Sequence, residues 1–182
     1  GCVGEAAMKV INPRTGKVAK QLNATKVFNQ IVDMAWSNGE PGIIFLDRLN
    51  RDNPTPAIGE YESTNPCGEQ PLLPYESCNL GSLNLANMIK DGDVDWAKLE
   101  ETVRLSTRFL DNVIEANKYP LPEINDMTRA NRKIGLGVMG WADMLILLGI
   151  PYNSKDAINL GEKVMKFVNE KSHKESIQLA VE

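Results

Sequence analysis

The chain has 182 residues, 42% of them apolar and 24% charged, with a formal net charge of −4; this is the balance of a folded domain with a sizeable core, and it excludes both a disordered tail and the basic groove that a nucleic-acid polymer requires. No run of eighteen apolar residues is present, which excludes a membrane-spanning helix, and no charged segment followed by an apolar stretch marks a secretory leader. Three cysteines are too few, and odd in number, for a disulfide framework, so they are read as free thiols of a reducing, cytoplasmic compartment.

Asn12-Pro13-Arg14-Thr15-Gly16 spells a turn, with proline presetting the backbone and glycine closing it. From Ala24 to Ser37 the apolar residues Val27, Phe28, Ile31, Val32 and Ala35 recur at helical spacing, and Gly39 is placed to end that helix. Gly42-Ile43-Ile44-Phe45-Leu46, a continuous apolar run after Pro41, predicts a strand buried on both faces. Asp47 to Gly59 is polar, with two prolines, and is expected to be loop. Residues 60–76 form an excursion interrupted by prolines, and Cys78 to Leu85 alternate as a strand does. Asp95 is a suitable N-cap for a long helix through Asn117, with Trp96, Leu99, Val103, Phe109, Leu110 and Val113 as its apolar stripe. A second helix follows Pro122, a favourable first-turn proline. Ile134 to Val138 is a short strand, Trp141 to Leu148 a buried helix ended by Gly149 and Pro151, and Ser154 caps a last helix. Strands alternating with helices make the fold class α/β.

The chemistry concentrates in two blocks, Asn65-Pro66-Cys67-Gly68-Glu69-Gln70 and Tyr75-Glu76-Ser77-Cys78-Asn79-Leu80-Gly81-Ser82. In an extended segment, alternate side chains share a face, so Asn65, Cys67 and Glu69 would present an amide, a thiol and a carboxylate to one small substrate. A second thiol, Cys78, follows on a strand after Pro71 and Pro74. Taken singly, each residue has a plainer reading: a free cysteine is commonly a buried apolar group, a loop glutamate a solvated charge and Asn65 a turn residue. Together they suit sulfur redox or radical chemistry.

Other motifs carry less. Gly135-Leu136-Gly137-Val138-Met139-Gly140 spells the dinucleotide fingerprint G-x-G-x-x-G, which would make the chain a nucleotide-binding module. The fingerprint needs a buried strand before it, whereas Asn125 to Lys133 is polar and helical in pattern, so the glycines are read as a closely packed strand-to-helix joint. The single histidine, His173, lies in an exposed helical stretch, and no cluster has metal-ligand spacing. Arg48, Arg51 and Asp52 are read as solvated loop charges.

The string from Asn65 to Ser82 resembles the finger loop of the ribonucleotide reductase catalytic subunit, and its Pro-Cys-Gly-Glu-Gln wording and thiol spacing are most similar to the adenosylcobalamin-dependent class II branch. Ile11-Asn12-Pro13-Arg14-Thr15-Gly16, Asp47 to Pro54 and Arg132 to Gly140 agree with it. The resemblance covers residues 11–182 as a partial catalytic barrel and leaves 1–10 as a non-matching segment. It implies a ten-stranded α/β barrel of two parallel half-sheets, with the finger loop threaded through the centre. It also implies that Cys67 becomes a thiyl radical that abstracts the 3′ hydrogen of a ribonucleotide. Glu69 then takes the 3′-hydroxyl proton, and the Asn65 amide bonds a ribose hydroxyl and Glu69. Cys78 is implied as one thiol of the pair that reduces C2′, its partner lying upstream; the surroundings of Cys2 do not match that partner. Adenosylcobalamin as cofactor, thioredoxin or glutaredoxin as reductant and the remaining barrel segments as partners follow from the family, with no cobalamin contact identified. The chain ends in helical pattern without a stop signal and is expected to be an internal slice, inactive alone. Two readings stay open beside this one: a structural piece of a split or truncated reductase with no activity of its own, and a fragment of a class I large subunit using a diiron partner.

Overall fold

The computed structural model describes residues 7–182; Cys2 lies outside them. The chain divides into two compact units at Pro54 and Thr55. In the first, strands β1 (Ala7–Ile11) and β2 (Val18–Asn23) form an antiparallel hairpin. The expected Asn12–Gly16 turn closes it: Asn12 Oδ1 accepts from the backbone N–H groups of Arg14 (2.9 Å) and Thr15 (3.2 Å). Helix α1 (Ala24–Asn38) follows, capped by Asn23 and ended by Gly39 as anticipated. Its apolar stripe, however, is not buried within the unit, with Phe28 and Val32 about half exposed. The predicted strand at 42–46 is absent. A continuous apolar run becomes a strand only where other strands pair with its backbone, and among the described residues none does; Leu46–Arg51 instead forms the short helix α2, inside what was expected to be loop.

The second unit holds the core and the two cysteine blocks. Strands β3 (Ser63–Thr64) and β4 (Pro71–Leu72) form a short antiparallel hairpin. Strand β5 (Asn79–Asn84) pairs in parallel with β8 (Ile134–Met139), in register Asn79↔Ile134 through Asn84↔Met139. Between them run a 3₁₀ turn (Leu85–Met88), the small hairpin β6 (Ile89–Lys90) and β7 (Asp93–Val94), and helices α3 (Trp96–Ala116) and α4 (Pro122–Asn131). A parallel pair needs such a long crossover to bring the chain back to the same end of the sheet. Asp95 caps α3 through Oδ1 to the Lys98 N–H (3.0 Å), and Pro122 opens α4.

Leu99, Val103, Thr107, Leu110 and Ile114 form the covered face of α3. Phe109, assigned to that stripe from the sequence, is 66% exposed. With Leu83, Leu85, Met88, Val94, Met144, Val164 and Val168, residues Leu99 and Val103 form one continuous apolar cluster, each large member contributing about 1.5–3 kcal/mol. Helix α5 (Trp141–Leu148) buries only Met144 and Leu145 and leaves Ile146 and Leu147 exposed, so it is half-buried rather than buried. Helix α6 (Lys155–Val181), capped by the Ser154 hydroxyl, packs along α3, where buried Glu175 accepts from Arg104 at 2.8 Å and pairs with Arg108 at 3.4 Å. No described helix is long and apolar enough to cross a membrane.

Candidate active site

The block from Asn65 to Gln70 is a turn and not the extended segment expected. The Gly68 N–H donates to Asn65 O at 3.0 Å, which puts Pro66 and Cys67 at the two central positions of a β-turn, with Gly68 in the left-handed region (φ 83°) to redirect the chain into β4. The alternation argument for a shared face therefore does not apply. Cross-strand pairing does the work instead: Asn65 N–H donates to Gln70 O (3.2 Å) and Asn65 Oδ1 accepts from the Gln70 N–H (3.0 Å). Asn65 thus closes the loop with its backbone and side-chain oxygen, and its amide nitrogen has no partner among the described residues. Cys67 and Glu69 are exposed at the tip, and Cys67 is a free thiol.

The tip lies against the parallel strands. A Cβ on Gly135 would fall 2.3 Å from Leu80 Cδ2, so the missing side chain leaves room for Leu80 of β5, and 3.4 Å from Gln70 Oε1 of the hairpin, which lies close by. Glu69, Gln70, Leu80, Gly81, Ser82, Gly135, Leu136 and Gly137 line an open cleft of about 340 Å³. Gly140, last of the fingerprint, has φ 69° and caps α5, and a Cβ there would meet Asn84 Oδ1 at 2.3 Å. The element before β8 is the helix α4, as read from the sequence, so the G-x-G-x-x-G string serves packing and a strand-to-helix joint.

Cys78, half-buried and free, immediately precedes β5. Burial pushes its thiol pKa up; the Lys133 ammonium opposes that, and the Glu69 and Glu76 carboxylates add to it. The tip carboxylate and the second thiol therefore share one electrostatic neighbourhood.

Two residues that belong to none of the candidate site positions hold this arrangement. Glu76 has a fully covered side chain; its Oε2 accepts from the Leu73 N–H (2.9 Å) and from Lys133 Nζ (2.6 Å), and its Oε1 accepts from Asn131 Nδ2 (2.8 Å). Lys133 Nζ also donates to Pro71 O (3.3 Å) and lies 4.8 Å from the centre of the Tyr61 ring. The available signal was an acid just before one strand and a base just before another. Parallel pairing sets those two ends side by side. Ser77 adds a hydroxyl contact to buried Thr128 at 2.8 Å. His173 is exposed on α6, with its Nδ1 2.8 Å from Asn169 O, and no group of acidic, histidine or cysteine side chains that could hold a metal occurs among the described residues. Arg51 and Asp52 are an exposed ion pair.

The family model of the ribonucleotide reductase barrel domain matches residues 5–182. The vitamin B12-dependent ribonucleoside-diphosphate reductase of Thermoplasma acidophilum is 58% identical over 174 residues, covering 95% of this chain and 23% of that protein. The protein of the same name from Mycobacterium tuberculosis (strain H37Rv) is 52% identical over 96% of this chain and 25% of its own length. The chain thus spans about a quarter of these curated relatives. The ribonucleoside-diphosphate reductase subunit alpha of Chlamydia pneumoniae is 35% identical over 84% of the chain and 15% of that protein. Among solved structures, the Actinobacillus ureae class Id ribonucleotide reductase alpha subunit superposes with a TM-score of 0.70 at 26% identity, over 86% of this chain and 31% of that one. The parallel β5–β8 pair with its helical crossover, and the cysteine hairpin near it, accordingly lie in the region that matches the barrel domain: the chain belongs to the ribonucleotide reductase family.

Proposed function

We propose that this chain is the segment of a ribonucleotide reductase catalytic subunit that initiates substrate reduction, converting ribonucleoside diphosphates to 2′-deoxyribonucleotides. The observation that carries the reading is the hairpin tip: a free, exposed thiol two residues from a carboxylate, Glu69, that lines an open cleft floored by glycine-bearing strands. A cleft of that volume is in the range of small-molecule sites.

In this reading Cys67, as a thiyl radical, takes the C3′ hydrogen atom and becomes a thiol. Glu69 accepts the 3′-hydroxyl proton, which raises electron density at C3′ and drives off the 2′-hydroxyl as water, with a proton given up by the thiol pair that includes Cys78. Two electrons come from Cys78 and a second thiol of the subunit, which close a disulfide, and Cys67 returns its hydrogen atom to C3′. The free amide nitrogen of Asn65 is available to a ribose hydroxyl while its oxygen holds the loop. Adenosylcobalamin would be the cofactor, its chemistry that of a radical source, by which the Cys67 thiol would lose its hydrogen atom. The exposure of Cys67 fits that requirement, and the higher identity to B12-dependent relatives (52–58%) than to the Chlamydia pneumoniae alpha subunit (35%) supports this branch over a class I one. The Cys78 disulfide is returned to thiols by thioredoxin or glutaredoxin, in a reducing cytoplasm.

Cys67→Ser and Cys78→Ser in the full-length subunit test the assignment with 3′-tritiated substrate. The serine O–H bond is too strong for reversible hydrogen transfer, so Cys67→Ser abolishes tritium release. Cys78→Ser keeps C3′–H cleavage and releases tritium and free base in place of product. Equal loss of release in both variants overturns the division of roles.

A further inference from the structure

Lys133 meets the cysteine hairpin and the segments on either side of it at three separate places. Its ammonium reaches the Glu76 carboxylate (2.6 Å) at the hairpin base, the Pro71 carbonyl (3.3 Å) on β4, and the Tyr61 ring (4.8 Å) on the approach to β3. Lys133 also stands at the head of β8. Ile134, the next residue, is the parallel partner of Asn79, and Asn79 directly follows Cys78. One side chain therefore grips the hairpin that carries Cys67 and flanks the strand end that carries Cys78.

From this placement we infer that Lys133 and Glu76 are positioning residues for the Cys78 thiol: they lock the hairpin to the head of the strand pair and set the charge balance in which Cys78 reacts. The register places Cys78 and Lys133 side by side, each one residue before its strand, and the charges that act on the thiol come from three elements: Lys133 at the head of β8, Glu69 at the hairpin tip and Glu76 on the segment leading into β5. Lys133 is the one cation among them. The two residues act with opposite sign, since the carboxylate disfavours a thiolate and the ammonium favours it. The inference deepens the reading of Cys78 as a redox thiol and rests on it for its meaning in turnover. When an external dithiol attacks the Cys78 disulfide, the S–S bond breaks, a mixed disulfide forms and one sulfur leaves as thiolate, which a nearby ammonium assists. A second attack by the same dithiol completes the two-electron reduction.

The experiment is the pH profile of Cys78 alkylation by iodoacetamide in the full-length, reduced protein. Peptide mass spectrometry after Glu-specific cleavage resolves Cys78 from Cys67, because Glu69 lies between them. Lys133→Gln should slow Cys78 alkylation about tenfold below its midpoint and move the midpoint to higher pH, the size expected of losing a close opposite charge. Glu76→Gln should move the midpoint the other way, and Lys133→Arg should stay near wild type. A merely structural role would shift both single variants in one direction, toward a more accessible thiol. If Lys133→Gln does not fold, the step from Glu76→Gln to Glu76→Gln/Lys133→Gln carries the test. That step removes the ammonium with no bare carboxylate left behind, so the midpoint must rise. Shifts of the same sign in the two single variants, or no rise on that last step, overturn the inference. Alkylation needs neither substrate nor cofactor, so it is independent of the reductase reading, which stands or falls on tritium release.

Discussion

At the tip of the cysteine hairpin the reactive side chains are nearly bare: Cys67 and Glu69 are exposed, and the loop is closed by backbone bonds and the oxygen of Asn65. At its base the reverse holds. The Glu76 carboxylate is fully covered, and both of its oxygens are occupied by Leu73, Asn131 and Lys133. The tip leaves the Cys67 thiol and the Glu69 carboxylate exposed, open to the substrate of the proposed reaction. The base ties its charged groups to one another and to the backbone. Chemistry and stability are thus separated along one short segment, and substitutions at the two ends should fail in different assays.

Glu69→Gln tests the tip most severely. Glutamine keeps the shape but cannot accept a proton at neutral pH, so turnover should fall by about 10²–10⁴-fold, in kcat more than in KM. Because Glu69 is exposed, the melting temperature should hardly move. Near-normal turnover would make Glu69 a positioning group only. Glu76→Ala sits at the other pole. It strands Lys133 beside a void, and breaking a buried pair costs about 3–5 kcal/mol, which chemical denaturation of the full-length protein would read directly. A loss within about 0.5 kcal/mol, the range of an ordinary surface change, would erase the contrast between tip and base. Asn65→Ala lies between the two. It removes the side-chain bond to Gln70 (3.0 Å), worth about 0.5–1.5 kcal/mol, and also the free amide offered to substrate. A small stability loss with a larger rise in KM is expected from steady-state kinetics.

Much of the second unit was legible because its signals are local. Asp95, Pro122, Gly149 and Ser154 mark helix ends that the structure reproduces, since capping is decided within a few residues. Strand β5 follows the alternation expected of residues 78–85, and β8 the short strand expected at 134–138, each within a residue of its bounds. The failures share a different cause. The α1 stripe and the 42–46 run are apolar without being covered, because periodicity tells which face seeks a partner and not whether the same unit supplies one. Phe109 fails by the same rule. Within the site, Cys67, Glu69, Asn65 and Cys78 were singled out from their wording. The local shape of the 65–70 segment was missed, because proline and glycine around Cys67 favour a turn that period-two reasoning ignores. Glu76 and Lys133 were invisible as a pair, since only the parallel pairing of two distant strands brings them together.

The sequence distance across that pair orders events in folding. Asn131 and Lys133 meet Glu76 across 55 and 57 residues, so these bonds cannot form until the crossover through α3 and α4 has closed and β8 has docked beside β5. Contacts of such separation are slow to make. The hairpin can turn early, since its own bonds are local, but its tip takes up a fixed place over Gly135 only when the strand pair is complete. The loop that bears Cys67 is therefore among the last parts of this unit to be set in position.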